Sequence, residues 1–152
     1  MAADQARAGW QGANGPQRGA IWWFAQPNDT WIYLSDASTG QYGLDADDYA
    51  QTWNCPRFGQ CSTLNVAMNI WYTDIYINRD LFQTLIFDRQ VNTIANEMGH
   101  GFGLFHHSGT AYLMHPYNTT VQVPHPIDIG NNSECTNSVL FWGIRCIYRW
   151  PY

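Results

Sequence analysis

The stretch from Asp88 to Phe102 constrains the fold of this chain more than any other segment. Its apolar residues recur at the spacing of an α-helix and, projected at about 100° per residue, form one narrow stripe. Asp88 is a suitable N-cap because its carboxylate can accept a hydrogen bond from a free backbone N–H group of the first turn. We therefore predict a helix from Asp88 to about Phe102 that packs one face on a core. The apolar stripe consists of Val91, Ile94, Ala95, Met98 and Phe102.

The opposite face of this predicted helix is polar. Asn96 and His100 are four residues apart and stack on that face, and Glu97 lies at its edge. Gly103 follows the periodic segment, where a glycine in the left-handed conformation commonly ends a helix. A turn at Gly103 brings His106 round to face His100. The sequence therefore predicts that two imidazoles and one carboxylate converge on a cleft.

The rest of the chain is predicted to form short elements and one domain. Residues 1–19 are rich in Gly, Ala and Gln, which predicts a loose arm before a single domain over residues 20–152. Asp45–Trp53 has near-helical spacing with aspartates in its first turn, which favours a helix. Runs of β-branched and aromatic residues predict strands. The strands are predicted at 21–24, 31–34, 63–72 and 75–78, and a final helix at 138–148.

The composition excludes some classes of protein. The chain has 152 residues, of which 45% are hydrophobic, so one domain with a substantial core is expected. It has no lysine and a formal net charge of −5, which argues against nucleic acid as a partner. No apolar run approaches the roughly 18 residues of a membrane-spanning helix, so we expect no membrane partner.

Four cysteines, an even number, indicate disulfide bonds and an oxidising compartment. Several pairings are possible, and the sequence does not choose between them. Our preferred prediction pairs Cys55 with Cys61 and Cys135 with Cys146, because each bond closes a short loop. The alternative is a second metal site, but neither pair has the Cys-x-x-Cys spacing.

The spacing of Glu97, His100, Gly103 and His106 resembles the signature His-Glu-x-x-His-x-x-Gly-x-x-His of the metzincin zinc endopeptidases. Met114, eight residues after His106 and within Tyr-Leu-Met-His-Pro-Tyr, resembles the Met-turn of the matrixins. Residues 141–148 are similar to the last helix of that family. The resemblance implies an α+β, metzincin-like zincin fold: a twisted mixed sheet with an edge strand, an active-site helix, a Met-turn and a C-terminal helix.

The same resemblance implies the chemistry of a zinc endopeptidase. His100 and His106 would bind Zn²⁺, which needs three protein ligands and an open position for water. Glu97 would act as the general base that takes a proton from that water. Met114 would form the hydrophobic floor of the site. The expected activity is therefore hydrolysis of polypeptides.

The resemblance also implies where a substrate would bind and where the protein would act. An extended polypeptide would lie beside an edge strand, which we expect within Thr63–Tyr72. Pro116 and Tyr117 would line the pocket for the residue just past the scissile bond. An enzyme of this type is expected to be secreted, extracellular and monomeric.

Asn96 stands where the family has its first histidine ligand. An amide oxygen is a neutral and weaker zinc donor than an imidazole. Three outcomes are open: Asn96 binds weakly, another group such as His107 or water completes the site, or the site is empty. The hypotheses are therefore a zinc endopeptidase and a catalytically impaired or inactive pseudoprotease that binds peptides. A weaker third alternative is an aromatic-rich carbohydrate-binding domain.

Overall fold

The computed structural model describes residues 1–14, 31–63, 70–125 and 128, which form an α+β fold with a three-stranded mixed sheet packed against helices. Within those ranges, no helix has the length and apolar character needed to cross a membrane. The elements, in chain order, are helix α1 (Ala2–Asn14), strands β1 (Trp31–Ala37), β2 (Ala50–Pro56) and β3 (Ile70–Asn78), and helices α2 (Arg79–Phe82) and α3 (Phe87–Gly101).

β3 is the central strand, with β1 parallel to it and β2 antiparallel. Burial alternates along β3, as expected for a strand with one covered face, and its inward side chains include Thr73, Ile75 and Ile77. The strand predicted at 31–34 is confirmed and continues to Ala37. The strand predicted at 75–78 is confirmed as the end of β3, which also contains 70–72. Residues 64–69 lie outside the described part of the chain.

The helix predicted over Asp45–Trp53 is wrong. Asp45 and Asp48 form a turn, in which the Asp45 N–H group donates to Asp48 Oδ2 at 2.9 Å, and β2 begins at Ala50. Pairing with β3 satisfies the backbone groups of alternate residues in this segment. A few apolar residues at near-helical spacing cannot reveal such a partner, because it lies elsewhere in the sequence.

Residues 2–14 form helix α1, so the loose arm predicted for residues 1–19 is wrong over that part. α1 packs on α3, and its Trp10 side chain is fully buried. The Trp10 Nε1–H group donates to the carbonyl oxygen of Ala95 at 2.8 Å. Tertiary packing of one helical face therefore orders a segment whose composition alone indicates little structure.

α3 bears out the predicted apolar stripe but not the predicted N-cap. Ile86 occupies the N-cap position, and Asp88 lies in the first turn instead. A carboxylate there still interacts favourably with the positive end of the helix dipole. Four stripe residues are buried and the fifth packs against the core: Val91, Ile94, Ala95 and Met98, with Phe102.

α3 ends at Gly101, with Phe102 as its C-cap, and Gly103 turns the chain as predicted. Gly103 has φ 85°, in the left-handed region that glycine adopts without steric cost. The Leu104 N–H group bonds to the Gly99 carbonyl oxygen at 3.0 Å, and the Gly103 N–H group bonds to that of His100 at 2.8 Å. These two bonds form a Schellman motif, which reverses the chain towards the helix.

The predicted disulfide between Cys55 and Cys61 is confirmed. Next to it, Asn54 and Ser62 form an isolated antiparallel bridge, so the disulfide loop folds back along β2. The described residues do not include Cys135 and Cys146. The strand predicted at 21–24 and the helix predicted at 138–148 also lie outside them.

Candidate functional site

A cavity of about 340 Å³ lies between α3, the start of β2 and the segment after Met114. Residues from all three elements line it, so the cavity depends on contacts between distant parts of the chain. The lining includes Ala50 from β2, Asn96 and Glu97 from α3, and then His106, Pro116 and Tyr117. The structure therefore brings most of the side chains predicted for a site to one cavity.

His100 and His106 meet as the sequence predicts, because the Schellman turn returns the chain towards α3. Their Nε2 atoms are 2.9 Å apart, and their ring centroids are separated by 4.5 Å. The His100 Nδ1 atom lies 2.8 Å from the Leu104 carbonyl oxygen. A carbonyl only accepts hydrogen bonds, so Nδ1 carries the proton and Nε2 of His100 presents its lone pair.

Burial keeps both imidazoles neutral. It lowers the pKa of His100, although the Leu104 carbonyl partly opposes this effect. Burial, followed by repulsion from His100, His115 and His107, lowers the pKa of His106 to about 4. Neutral imidazoles are the form that binds a metal ion.

The positions of His100 and His106 are compatible with a zinc ion. Two nitrogen ligands at about 2.0–2.1 Å from a tetrahedral zinc ion lie roughly 3.3 Å apart, slightly more than the observed 2.9 Å. The Nδ1 atom of His100 bonds to a backbone carbonyl oxygen. Zinc-binding histidines typically have such a partner on the ring nitrogen that does not bind the metal. The described residues contain no group of three or more His, Cys, Asp or Glu side chains that could hold a metal ion.

Asn96, the candidate for the remaining position, is anchored by its amide nitrogen. Nδ2 donates to the Leu113 carbonyl oxygen at 2.8 Å and to that of His115 at 3.2 Å. These bonds use both amide hydrogens and fix the plane of the group. The amide oxygen is therefore the atom that Asn96 has left for a ligand, and it is a weaker zinc donor than imidazole.

Glu97 lies beside these groups and is hydrogen-bonded to β2. Its Oε2 atom accepts a hydrogen bond from the Thr52 hydroxyl at 2.6 Å. Burial raises the pKa of Glu97 to about 7; the Thr52 hydrogen bond acts against this shift, and the charge of Asp48 adds to it. A carboxyl group with a pKa near neutrality can both accept and release a proton under ordinary conditions.

Met114 lies in a tight turn and is not among the residues that line the cavity. The His115 N–H group bonds to the Tyr112 carbonyl oxygen at 3.3 Å, and Met114 is fully buried. Gly99 makes room for it, since a Cβ atom on Gly99 would overlap the Met114 sulfur. Asp128 stabilises the turn: its Oδ2 accepts a hydrogen bond from the Leu113 N–H group at 3.3 Å.

Among the described strands, β2 is the outer strand of the sheet on the side of this cavity. Of the segment Thr63–Tyr72, within which an edge strand is predicted, Ile70–Tyr72 belong to the central strand β3, and residues 64–69 lie outside the described part of the chain. The backbone N–H and C=O groups of Asn54 bond to Ser62, on the side away from β3. Both backbone groups of a residue point to one side of a strand, and the side alternates. Those of Thr52 therefore also point away from β3, beside the cavity.

Thr52 and Asn54, which bond to α3 beside the cavity, were not predicted from the sequence. Thr52 lies in the segment predicted to form a helix, and Asn54 directly follows that segment. A strand assignment would have placed them on one face by their spacing of two residues. Of the other histidines, His115 lines the cavity, whereas His107 is buried against Tyr112 and is not among the lining residues.

Comparison of the chain with protein-family models, with curated proteins and with solved structures finds no match. The geometry of the cavity is therefore the basis for a functional assignment.

Proposed function

We propose that this chain is a secreted zinc endopeptidase of metzincin type, with a matrixin-like catalytic domain. One observation carries the proposal: the Nε2 atoms of His100 and His106 lie 2.9 Å apart beside a cavity that Glu97 also lines. A lone histidine pair has many structural explanations. Here the pair follows from a helix, a glycine turn and a spacing that together resemble one catalytic signature.

An extended polypeptide would bind beside the cavity along the start of β2. Ala50 lines the cavity, and its backbone groups point away from β3, on the side where a strand could add. Pro116 and Tyr117 stand on the far side of the cavity, and Tyr117 is 76% exposed. A substrate would lie between this segment and β2, with one of its side chains against Pro116 and Tyr117.

His100, His106 and the amide oxygen of Asn96 would hold the zinc ion. Bound there, zinc would lower the pKa of its water and polarise the carbonyl group of the substrate. Glu97 would take a proton from the attacking water and pass it to the departing amine, which its raised pKa allows. The Cys55–Cys61 disulfide supports an oxidising, extracellular location.

Zinc analysis together with a peptide-cleavage assay tests this proposal. We expect zinc to bind and cleavage to be sensitive to a chelator. Glu97→Gln should lower the rate by about 100-fold or more while zinc content is retained, because the base is lost but the ligands remain. If the chain as it stands binds no zinc and shows no chelator-sensitive cleavage, the proposal is overturned for this form.

A catalytically impaired, peptide-binding pseudoprotease is the second candidate, and Asn96 favours it. The amide hydrogens of Asn96 bond to backbone carbonyls, and the group supplies a weak donor in place of an imidazole. On this account, Asn96→His raises zinc affinity by about 10–100-fold or more and creates cleavage that the original chain lacks. If the original chain cleaves peptides as fast as the histidine variant, this second candidate is excluded.

A further inference from the structure

Thr52 connects the sheet to the candidate base. The residue is 4% exposed, and its side chain lies on the covered face of β2, facing α3. The hydroxyl oxygen lies 2.6 Å from Glu97 Oε2 and 3.0 Å from the Glu97 backbone carbonyl oxygen. One hydroxyl therefore contacts both the side chain and the backbone of the same residue.

The contact with Oε2 fixes the direction of the Glu97 carboxyl group. A glutamate has three side-chain torsions, and ordering such a side chain costs about 1.5–2 kcal/mol of conformational entropy. A short hydrogen bond from a buried and rigid strand residue offsets that cost. A hydroxyl both donates and accepts hydrogen bonds, so the contact is preserved while the carboxyl group gains and loses a proton in a reaction cycle.

The backbone of Thr52 also faces the base. Its N–H and C=O groups point away from β3. The Glu97 carboxyl group accepts a hydrogen bond from the Thr52 backbone as well as from the Thr52 hydroxyl. Thr52 therefore contacts the candidate base through both its side chain and its backbone.

We propose that Thr52 is a positioning residue, which holds the Glu97 carboxyl group at a fixed place beside the cavity. The proposal rests on the proposed peptidase function and adds a role to a residue outside the zinc-binding signature. It predicts that the Thr52 hydroxyl group matters for turnover and has little effect on the binding of a polypeptide.

Thr52→Val and Thr52→Ser separate the hydroxyl group from the rest of the side chain. Thr52→Val keeps the shape and should lower kcat by about 10–100-fold with KM nearly unchanged, since the base is misplaced but the edge strand remains. Thr52→Ser should restore kcat to within about threefold, because it keeps the hydroxyl group. Thr39→Val is the matched control: the Thr39 hydroxyl bonds to Asn78 at 2.9 Å outside the cavity, and its loss should leave kcat unchanged.

A second measurement does not depend on cleavage. The chain has two glutamates, Glu97 and Glu134, so ¹³C-glutamate labelling gives two side-chain carboxyl signals, and Glu97→Gln identifies one of them. At fixed pH, Thr52→Val should shift and broaden the Glu97 signal, whereas Thr52→Ser and Thr39→Val should preserve it. An unchanged Glu97 signal in Thr52→Val would overturn the inference, as would an unchanged kcat. If no form of the protein cleaves peptides, the peptidase proposal fails and the carboxyl signal alone decides the role of Thr52.

Discussion

The two walls of the cavity are placed by different means. The helix wall, defined as α3 and residues 102–106, places Glu97, His100 and His106 through helical spacing and the turn at Gly103. The sheet wall, defined as β2, is placed by pairing with β3, a strand that follows it in the sequence. The first wall carries the candidate reacting groups, and the second carries neutral side chains that bind them. The candidate reacting groups are therefore specified by local sequence spacing, whereas the groups that position them depend on contacts between residues distant in the sequence.

Hydrogen bonds from the sheet wall join the two walls. Thr52 bonds to Glu97, and the Asn54 Nδ2 group donates to the His100 carbonyl oxygen at 2.9 Å. The Thr73 hydroxyl of β3 donates to Asn54 Oδ1 at 2.7 Å, which fixes the orientation of that amide. The end of α3 is thus held by its own turn on one side and by a buried polar network on the other.

Gly99→Ala should have the largest effect, because it disrupts the packing of the helix wall. An added Cβ atom would overlap the Met114 sulfur and lie 3.0 Å from the Trp10 ring. We expect the free energy of unfolding to fall by about 2–3 kcal/mol, since overpacking exceeds the gain in helix propensity. Chemical denaturation of the variant and the original chain measures this difference.

Gly101→Ala is the matched control on the same helix. A Cβ atom there would lie 3.1 Å from Thr73 Cγ2, which is a tight contact with a single methyl group of the sheet. Ala is favoured over Gly in a helix by about 1 kcal/mol, so this variant should be close to neutral. Equal losses in the two variants would contradict the view that Met114 limits the helix wall.

The sequence predicts the helix wall well and the sheet wall poorly, for the same physical reason. The stripe on α3, the turn at Gly103 and the meeting of His100 with His106 all follow from spacing within about twenty residues. The helix predicted over Asp45–Trp53 is a strand, because its pairing partner lies elsewhere in the chain. Thr52 and Asn54 were missed with it. The order of α1 also depends on a distant partner, the Ala95 carbonyl bound by Trp10.

The pH dependence of stability should show opposing effects within the helix wall. Burial raises the pKa of Glu97 from 4.5 to about 7, so the folded state binds more protons than the unfolded state between these values. Its contribution to stability therefore falls as pH rises through that window. Burial lowers the pKa of His106 from 6.5 to about 4, so its contribution falls as pH decreases from 6.5 to 4. The latter effect is smaller, because solvent screens this partly exposed ring.

Single variants of the metal-free protein separate these two effects. Compared with the original chain, Glu97→Gln should lose more stability as the pH falls from 6.5 to 4, because the opposing glutamate effect is removed. His106→Gln should lose less over the same range, because one histidine effect is removed while that of His100 remains. Denaturation at pH 4, 5.5 and 7 gives the three profiles. Parallel profiles for the two variants and the original chain would show that burial does not perturb these groups as inferred.

Asn54→Ala should have a smaller effect on stability than Gly99→Ala, together with a distinct effect on the site. It removes the partner of the Thr73 hydroxyl and of the His100 carbonyl oxygen, and should lower the free energy of unfolding by about 1–2 kcal/mol. Asn54→Asp keeps the acceptor for Thr73 but cannot donate to His100. If the sheet wall positions the end of α3, both variants should weaken zinc binding, measured by competition with a chromogenic chelator, whereas Thr39→Val should not. Unchanged zinc affinity in both would mean that the turn at Gly103 alone positions His100, and that the sheet wall acts on Glu97 but not on the histidine pair.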